Sequence, residues 1–88
     1  MRVKFLLDVL KPHEPDSYIV AQELLKIEGV KKVRVRVDEL DQKTASLHIK
    51  VQGYDLSLDD ISEGLAKLNC ALHSVDEVIC EEGGAIEE

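Results

Sequence analysis

Six patterned segments follow one another along this chain, and their order leaves few folds open. Four of them alternate apolar and polar residues with the period of two that a half-buried strand requires, and two repeat apolar residues at helical spacing. "RVKFLLDVL" puts Val3, Phe5, Leu7 and Val9 on one parity and Lys4, Leu6, Asp8 and Leu10 on the other. "KKVRVRVDEL" sets Val33, Val35 and Val37 inward against Arg34, Arg36 and Asp38, and "ASLHIKVQ" sets Ala45, Leu47, Ile49 and Val51 inward against Ser46, His48 and Lys50. The polar stretch "DQKT" between them predicts a hairpin. The last segment, "ALHSVDEVIC", alternates imperfectly, because Val75 and Ile79 share a parity with His73 and Glu77 while Leu72 and Val78 fall on the other. A bulge in this strand is expected.

The helical segments carry their own start and stop signals. Asp16 is an N-cap for "SYIVAQELLKIE", in which Val20, Leu24 and Ile27 form the buried stripe and Gly29 ends the run. Ser57 caps the second helix, Leu56 and Ile61 stand where a hydrophobic staple would put them, and Leu58, Ile61, Leu65 and Leu68 supply its apolar face. Strand, helix, strand, strand, helix, strand, with two interleaved right-handed crossovers, predicts an α+β, ferredoxin-like βαββαβ fold. The expected sheet is four-stranded and antiparallel in the order 4-1-3-2, with both helices on one face. A single domain over residues 1–80 and an acidic tail over 81–88 complete the organisation.

This topology makes the first strand central, so its C-terminal end meets the starts of strands three and four and the end of strand two. The polar cluster in "LLDVLKPHEPD" thereby approaches residues far away in sequence. Asp8, Asp38, His48 and Asp76 all belong to the outward register if strand four alternates regularly, and they form a row across the open face. Carboxylates in a row repel one another unless a cation or a basic group lies between them. Oxygen ligands favour Ca²⁺ or Mg²⁺, and a nearby imidazole admits Zn²⁺ or Mn²⁺. Asp8, Asp38 and Asp76 are therefore the candidate metal ligands, and Lys11, His13, His73 and Ser74 the candidate ligand-binding residues. The alternative is a solvated, salt-bridged face in which Lys4, Arg34, Arg36 and Lys50 balance the carboxylates.

Composition narrows the partners. The chain has 88 residues, 44% of them apolar but only 3% aromatic, and a formal charge of −7. Nucleic-acid binders combine positive grooves with stacking rings, so nucleic acid is an unexpected partner. Four glutamates crowd into the final "EEGGAIEE", and removing them leaves −3 on the body. No apolar run is long enough to span a bilayer and no signal-peptide core opens the chain, which predicts a cytoplasmic protein with no membrane partner. Cys70 and Cys80, if both lie on the last strand, stand ~33 Å apart at ~3.3 Å per residue, too far for a disulfide. Leu6, Leu10, Leu40, Leu72 and Val78 on the open face would leave too much apolar surface wet, so a homo-oligomer is expected.

Familiar activities of such a fold find no support. The loop "KPHEP" has neither glycine nor arginine to cradle an acyl phosphate, paired cysteines for a soft metal are missing, and the central strands lack the aromatic residues of an RNA-recognition module. No P-loop, GxGxxG or nucleophile with a base partner is evident. The stretch "LDVLKPHEP", followed by "HSVDEV" and joined by "EGV" and "VDELDQ", resembles the archaeal domain-of-unknown-function 211 family of short proteins over nearly the whole chain. That resemblance implies a ferredoxin-like fold, an oligomeric tendency and no established activity. Asp8, Lys11, Pro12, His13 and Glu14 match its first motif, and His73, Ser74, Asp76 and Glu77 its second; the tail lies outside both. The expected function is an oligomeric binding or regulatory module holding a divalent cation or a small ligand at the sheet. A purely structural assembly subunit is the alternative, and a metal-assisted enzyme using His13 or His73 ranks below both.

Overall fold

The computed structural model describes residues 1–83; the remainder of the expected acidic tail, 84–88, lies outside the described residues. The elements follow the predicted order: β1 (Arg2–Pro12), α1 (Ser17–Leu25), β2 (Val30–Leu40), β3 (Thr44–Tyr54), α2 (Leu58–Lys67) and β4 (Ala71–Glu81). They build one antiparallel sheet in the order β2-β3-β1-β4, which is the predicted 4-1-3-2 order read from the other edge. The fold is α+β and ferredoxin-like. Glu81, expected in the tail, is the last residue of β4 and stands opposite Arg2.

The helices start and stop where side chains satisfy their free backbone groups. The Asp16 carboxylate accepts from Ile19 N–H at 3.0 Å, and Ser57 Oγ accepts from Asp60 N–H at 3.2 Å. After α2, Asn69 takes the left-handed conformation (φ 62°), and Cys70 N–H donates to the Leu65 carbonyl at 2.9 Å, closing the last turn. Helix α1 ends at Leu25, one turn before the expected limit, and Ile27 still packs against the core from the following turn.

The core forms between the helices and the inward parities of β1 and β3. Leu7, Val9, Leu47, Ile49 and Val51 are fully buried against Val20 and Leu24 of α1 and Ile61 and Leu65 of α2. At ~25 cal/mol per Å² of apolar surface removed from water, each such side chain contributes ~1.5–3 kcal/mol. Strands of 11 residues run ~36 Å at ~3.3 Å per residue, whereas helices of 9 and 10 residues reach only ~15 Å. The helical layer therefore covers less than half of the sheet's length.

The outer strands correct part of the predicted facing. Leu72 stands opposite buried Val9, Val78 opposite buried Phe5, and Leu40 opposite buried Ala45, so all three lie on the helix side and not on the open face. The cause is two extra residues in each edge strand, each of which resets the alternation beyond it. The expected β4 bulge is present, with register shifts that leave His73 and Asp76 as the extra residues; β2 has similar shifts around Lys31 and Asp38. Leu6, Leu10 and Ile79 remain as the large aliphatic residues in the outward register of β1 and β4.

At the lower end of the sheet two glycines let backbones touch. Gly29 has φ 87°, and its carbonyl accepts from Tyr54 N–H at 2.9 Å, while a Cβ on Gly53 would collide with that same carbonyl. Gly53→Ala should cost ~1–3 kcal/mol in urea denaturation because neither backbone can yield, whereas Gly83→Ala, with nothing within 4 Å, should stay within ~0.5 kcal/mol of the parent.

Candidate functional site

The row expected across the open face forms around an imidazole. His48 projects from the middle of β3, directly opposite Asp8 of β1 on one side and Arg36 of β2 on the other. Its Nδ1 lies 3.8 Å from Asp38 Oδ1 and its Nε2 lies 4.0 Å from Asp76 Oδ2. Both distances exceed a hydrogen bond, so neither carboxylate shares a proton directly with the ring. Asp8 is half-buried and pairs across β1 and β4 with Ser74, whose hydroxyl donates to Asp76 Oδ1 at 2.7 Å.

Bulges explain how the two flanking carboxylates reach the imidazole. Asp38 and Asp76 are extra residues on the two edge strands, without a partner in the ladder. A bulge bends its strand and re-aims the side chain it carries. His48 keeps its side chain 26% exposed, so the centre of the row is shielded while its flanks stay wet. The sequence reading placed His48 in the row without naming it a site residue; its signal was an outward imidazole between Leu47 and Ile49 on a central strand.

The other candidate residues divide between surroundings. Lys11 stands opposite buried Ala45, on the helix side of the sheet and away from Asp8. Its Nζ donates to the carbonyls of Pro12 at 2.9 Å, His13 at 3.4 Å and Pro15 at 2.9 Å, which occupies all three of its donors. Lys11 thus ties down the loop that covers the end of the core. His13 and Glu14 are exposed on that loop, and His73 is exposed at the β4 bulge.

Cys70 is buried beside this loop, and desolvation pushes its thiol pKa up against the opposing charge of Lys11. The thiol stays protonated and unreactive at neutral pH. Cys80 is exposed, and both cysteines are free. Among the described residues, no group of three or more His, Cys, Asp or Glu side chains is gathered closely enough to enclose a metal ion. No described helix is long and apolar enough to cross a membrane.

With this geometry in place, similarity to known proteins gives the chain its kin. Residues 3–87 match the model of the DUF211 family, described as Uncharacterized ArCR. The chain belongs to that family. It is 34% identical over 76 residues to an uncharacterised protein, MJ0319, of the archaeon Methanocaldococcus jannaschii, an alignment spanning 86% of this chain and 78% of the relative.

Lys11→Met keeps the aliphatic stem but leaves its carbonyl partners without the ammonium. A loss of ~1–3 kcal/mol in urea denaturation is expected, with faster amide exchange over residues 13–17 and little change at His48.

Proposed function

We propose that this DUF211 protein is an oligomeric binding module whose open sheet face, centred on His48, takes a divalent cation. The observation that carries this reading is the two-sided approach of carboxylates to one imidazole, at 3.8 and 4.0 Å. Such gaps are too long for hydrogen bonds, and donors bound to one tetrahedral ion at ~2.0–2.2 Å stand ~3.3–3.6 Å apart, so a closing of Asp76 towards Nε2 by about half an ångström would put both on one ion. On the Nε2 side, His48 and Asp76 would be direct ligands, with Asp8 on the intervening strand and water completing the shell. On the Nδ1 side, Asp38 would orient the ring, as carboxylates commonly do behind a metal-bound histidine. An imidazole ligand moves the preference from Ca²⁺ or Mg²⁺ towards Mn²⁺ or Zn²⁺.

Assembly is supported by the charge of the two edges. Arg34 and Arg36 lie along β2, while Glu77 and Glu81 lie along β4. A head-to-tail neighbour would set one edge against the other, an arrangement that closes into a ring or runs on as a filament. The bulges and edge charges work against a continuous hydrogen-bonded ladder, so side chains would make the contact.

Thermal denaturation with each cation and with chelator tests the site. A cation at ~100 times its dissociation constant stabilises the native state by ~2.7 kcal/mol, or roughly 10–20 °C in a domain of this size. Asp76→Asn and Asp8→Asn should remove the rise. No rise with any cation would instead favour a structural subunit in which Asp38, His48 and Asp76 are only salt-bridged.

Sedimentation over a range of concentrations tests assembly. The expected assembly should dissociate as salt is added, and a monomer at every concentration would end that half of the reading.

A further inference from the structure

At the opposite end of the open face from the His48 cluster lies a depression of about 310 Å³, lined by Arg2, Lys31, Lys32, Gln52, Gly53 and Tyr54. Three of these six residues are cationic and none is acidic. Arg2, Gln52 and Lys32 come from three adjacent strands in the outward register, and Lys31 is the extra residue at the β2 register shift that follows Val30. Among the described residues, Arg2, Lys31 and Lys32 form no ion pair. The neighbouring carboxylate of Asp55 is engaged by the Met1 ammonium at 2.9 Å, and Glu81 faces Arg2 from β4 without lining the depression.

A chain with a formal charge of −7 has thus collected three cations, none ion-paired among the described residues, around one concave space. Like charges held together repel, and an anion between them relieves that cost. The walls also suit the rest of a molecule. The Arg2 guanidinium lies 6.0 Å from the centroid of the Tyr54 ring, so ring and guanidinium offer flat surfaces beside the charges. Gln52 is only 5% exposed and Gly53 is fixed by its contact with Gly29, so the floor is rigid. The volume falls at the lower end of small-molecule sites.

We propose that this depression binds a small phosphorylated molecule of mononucleotide size. Lys31, Lys32 and Arg2 hold the phosphate oxygens, and Tyr54 packs against the flat or apolar remainder. The site is separate from the cation site proposed above: His48 and Gln52, the nearest lining residue on β3, are four residues apart, ~13 Å at ~3.3 Å per residue. Either can fail without the other.

Amide NMR titration of the full chain with ADP, pyrophosphate and adenosine tests the proposal. ADP and pyrophosphate should shift the amides of Lys31, Lys32, Gly53 and Tyr54, with ADP binding more tightly and adenosine far more weakly than either. The double variant Lys31→Ala, Lys32→Ala, whose two side chains are exposed, should remain folded by circular dichroism and bind ADP at least about tenfold more weakly. Lys26→Ala, which removes an exposed lysine paired with Glu23 on α1, should bind ADP like the parent. The proposal is overturned if neither phosphate probe shifts these amides, if adenosine binds as tightly as ADP, or if the double variant keeps the parent affinity.

Discussion

The regular ladder between β1 and β3 is the constraint on which the rest of this sheet depends. Its pairs run from Arg2 opposite Tyr54 to Pro12 opposite Thr44 without a shift in register. Both strands keep strict alternation, so every second side chain must enter the core, and Leu7, Val9, Leu47, Ile49 and Val51 do so completely. A slip of one residue would turn both apolar sets towards water. Irregularity is therefore confined to the edge strands, where an extra residue disturbs one ladder and not two. Asp38, His73, Asp76 and Lys31, the residues at those shifts, are all polar. The inner pair supplies stability, and the edges supply freedom to place charge.

A second constraint comes from the mismatch in length between layers. Two short helices cannot cover the sheet beneath them, and the chain meets the deficit differently at different points. Over the end of β1 the loop after Pro12 acts as cover, and a lysine secures it by donating to three carbonyls. A buried ammonium is costly unless its donors are satisfied, and here they are. At the end of β2 nothing comparable is present among the described residues: Val37 and Leu40 lie in the helix-side register but remain 49% and 75% exposed. That unshielded apolar surface is on the side away from the His48 row, so it adds nothing apolar to the open face.

These two constraints explain what could and could not be read from the sequence. Element order, caps and the inward parity of β1 and β3 were legible because they depend on local chemistry and on alternation, both of which a linear sequence displays. The juxtaposition of Asp8 and His48 was legible too, since it follows from topology once the elements are known, whereas Asp38 and Asp76 reach the row through bulges and not through the regular alternation on which their expected facing rested. Facing on the edge strands was not. A bulge adds one residue without a compositional mark, so Leu40, Leu72 and Val78 were assigned to the open face, and the apolar surface expected there shrank when the register was seen. Lys11 was misleading for another reason: beside Pro12 and His13 it looks like part of a polar site, and only its odd parity, shared with Leu7 and Val9, announces that it points inward.

The distribution of charge over the open face also sets two rows of opposite character on the same four strands. The levels of His48 and Gln52 stand four residues apart on β3, ~13 Å along the strand, whereas exposed charges are screened over ~8–10 Å at moderate salt. The carboxylates around His48 therefore have little influence on the potential at Arg2, Lys31 and Lys32, and the formal charge of −7 is a poor guide to either place. Arg36, His48, Asp8 and Ser74 stand at one level, with Asp38 and Asp76 brought in by bulges, and that level can attract a cation. Lys32, Gln52 and Lys4 stand at another, with Lys31 brought in by the same device, and that level can attract an anion. A narrow sheet with one uncovered face can hold both because its strands are long compared with the reach of the charges upon them.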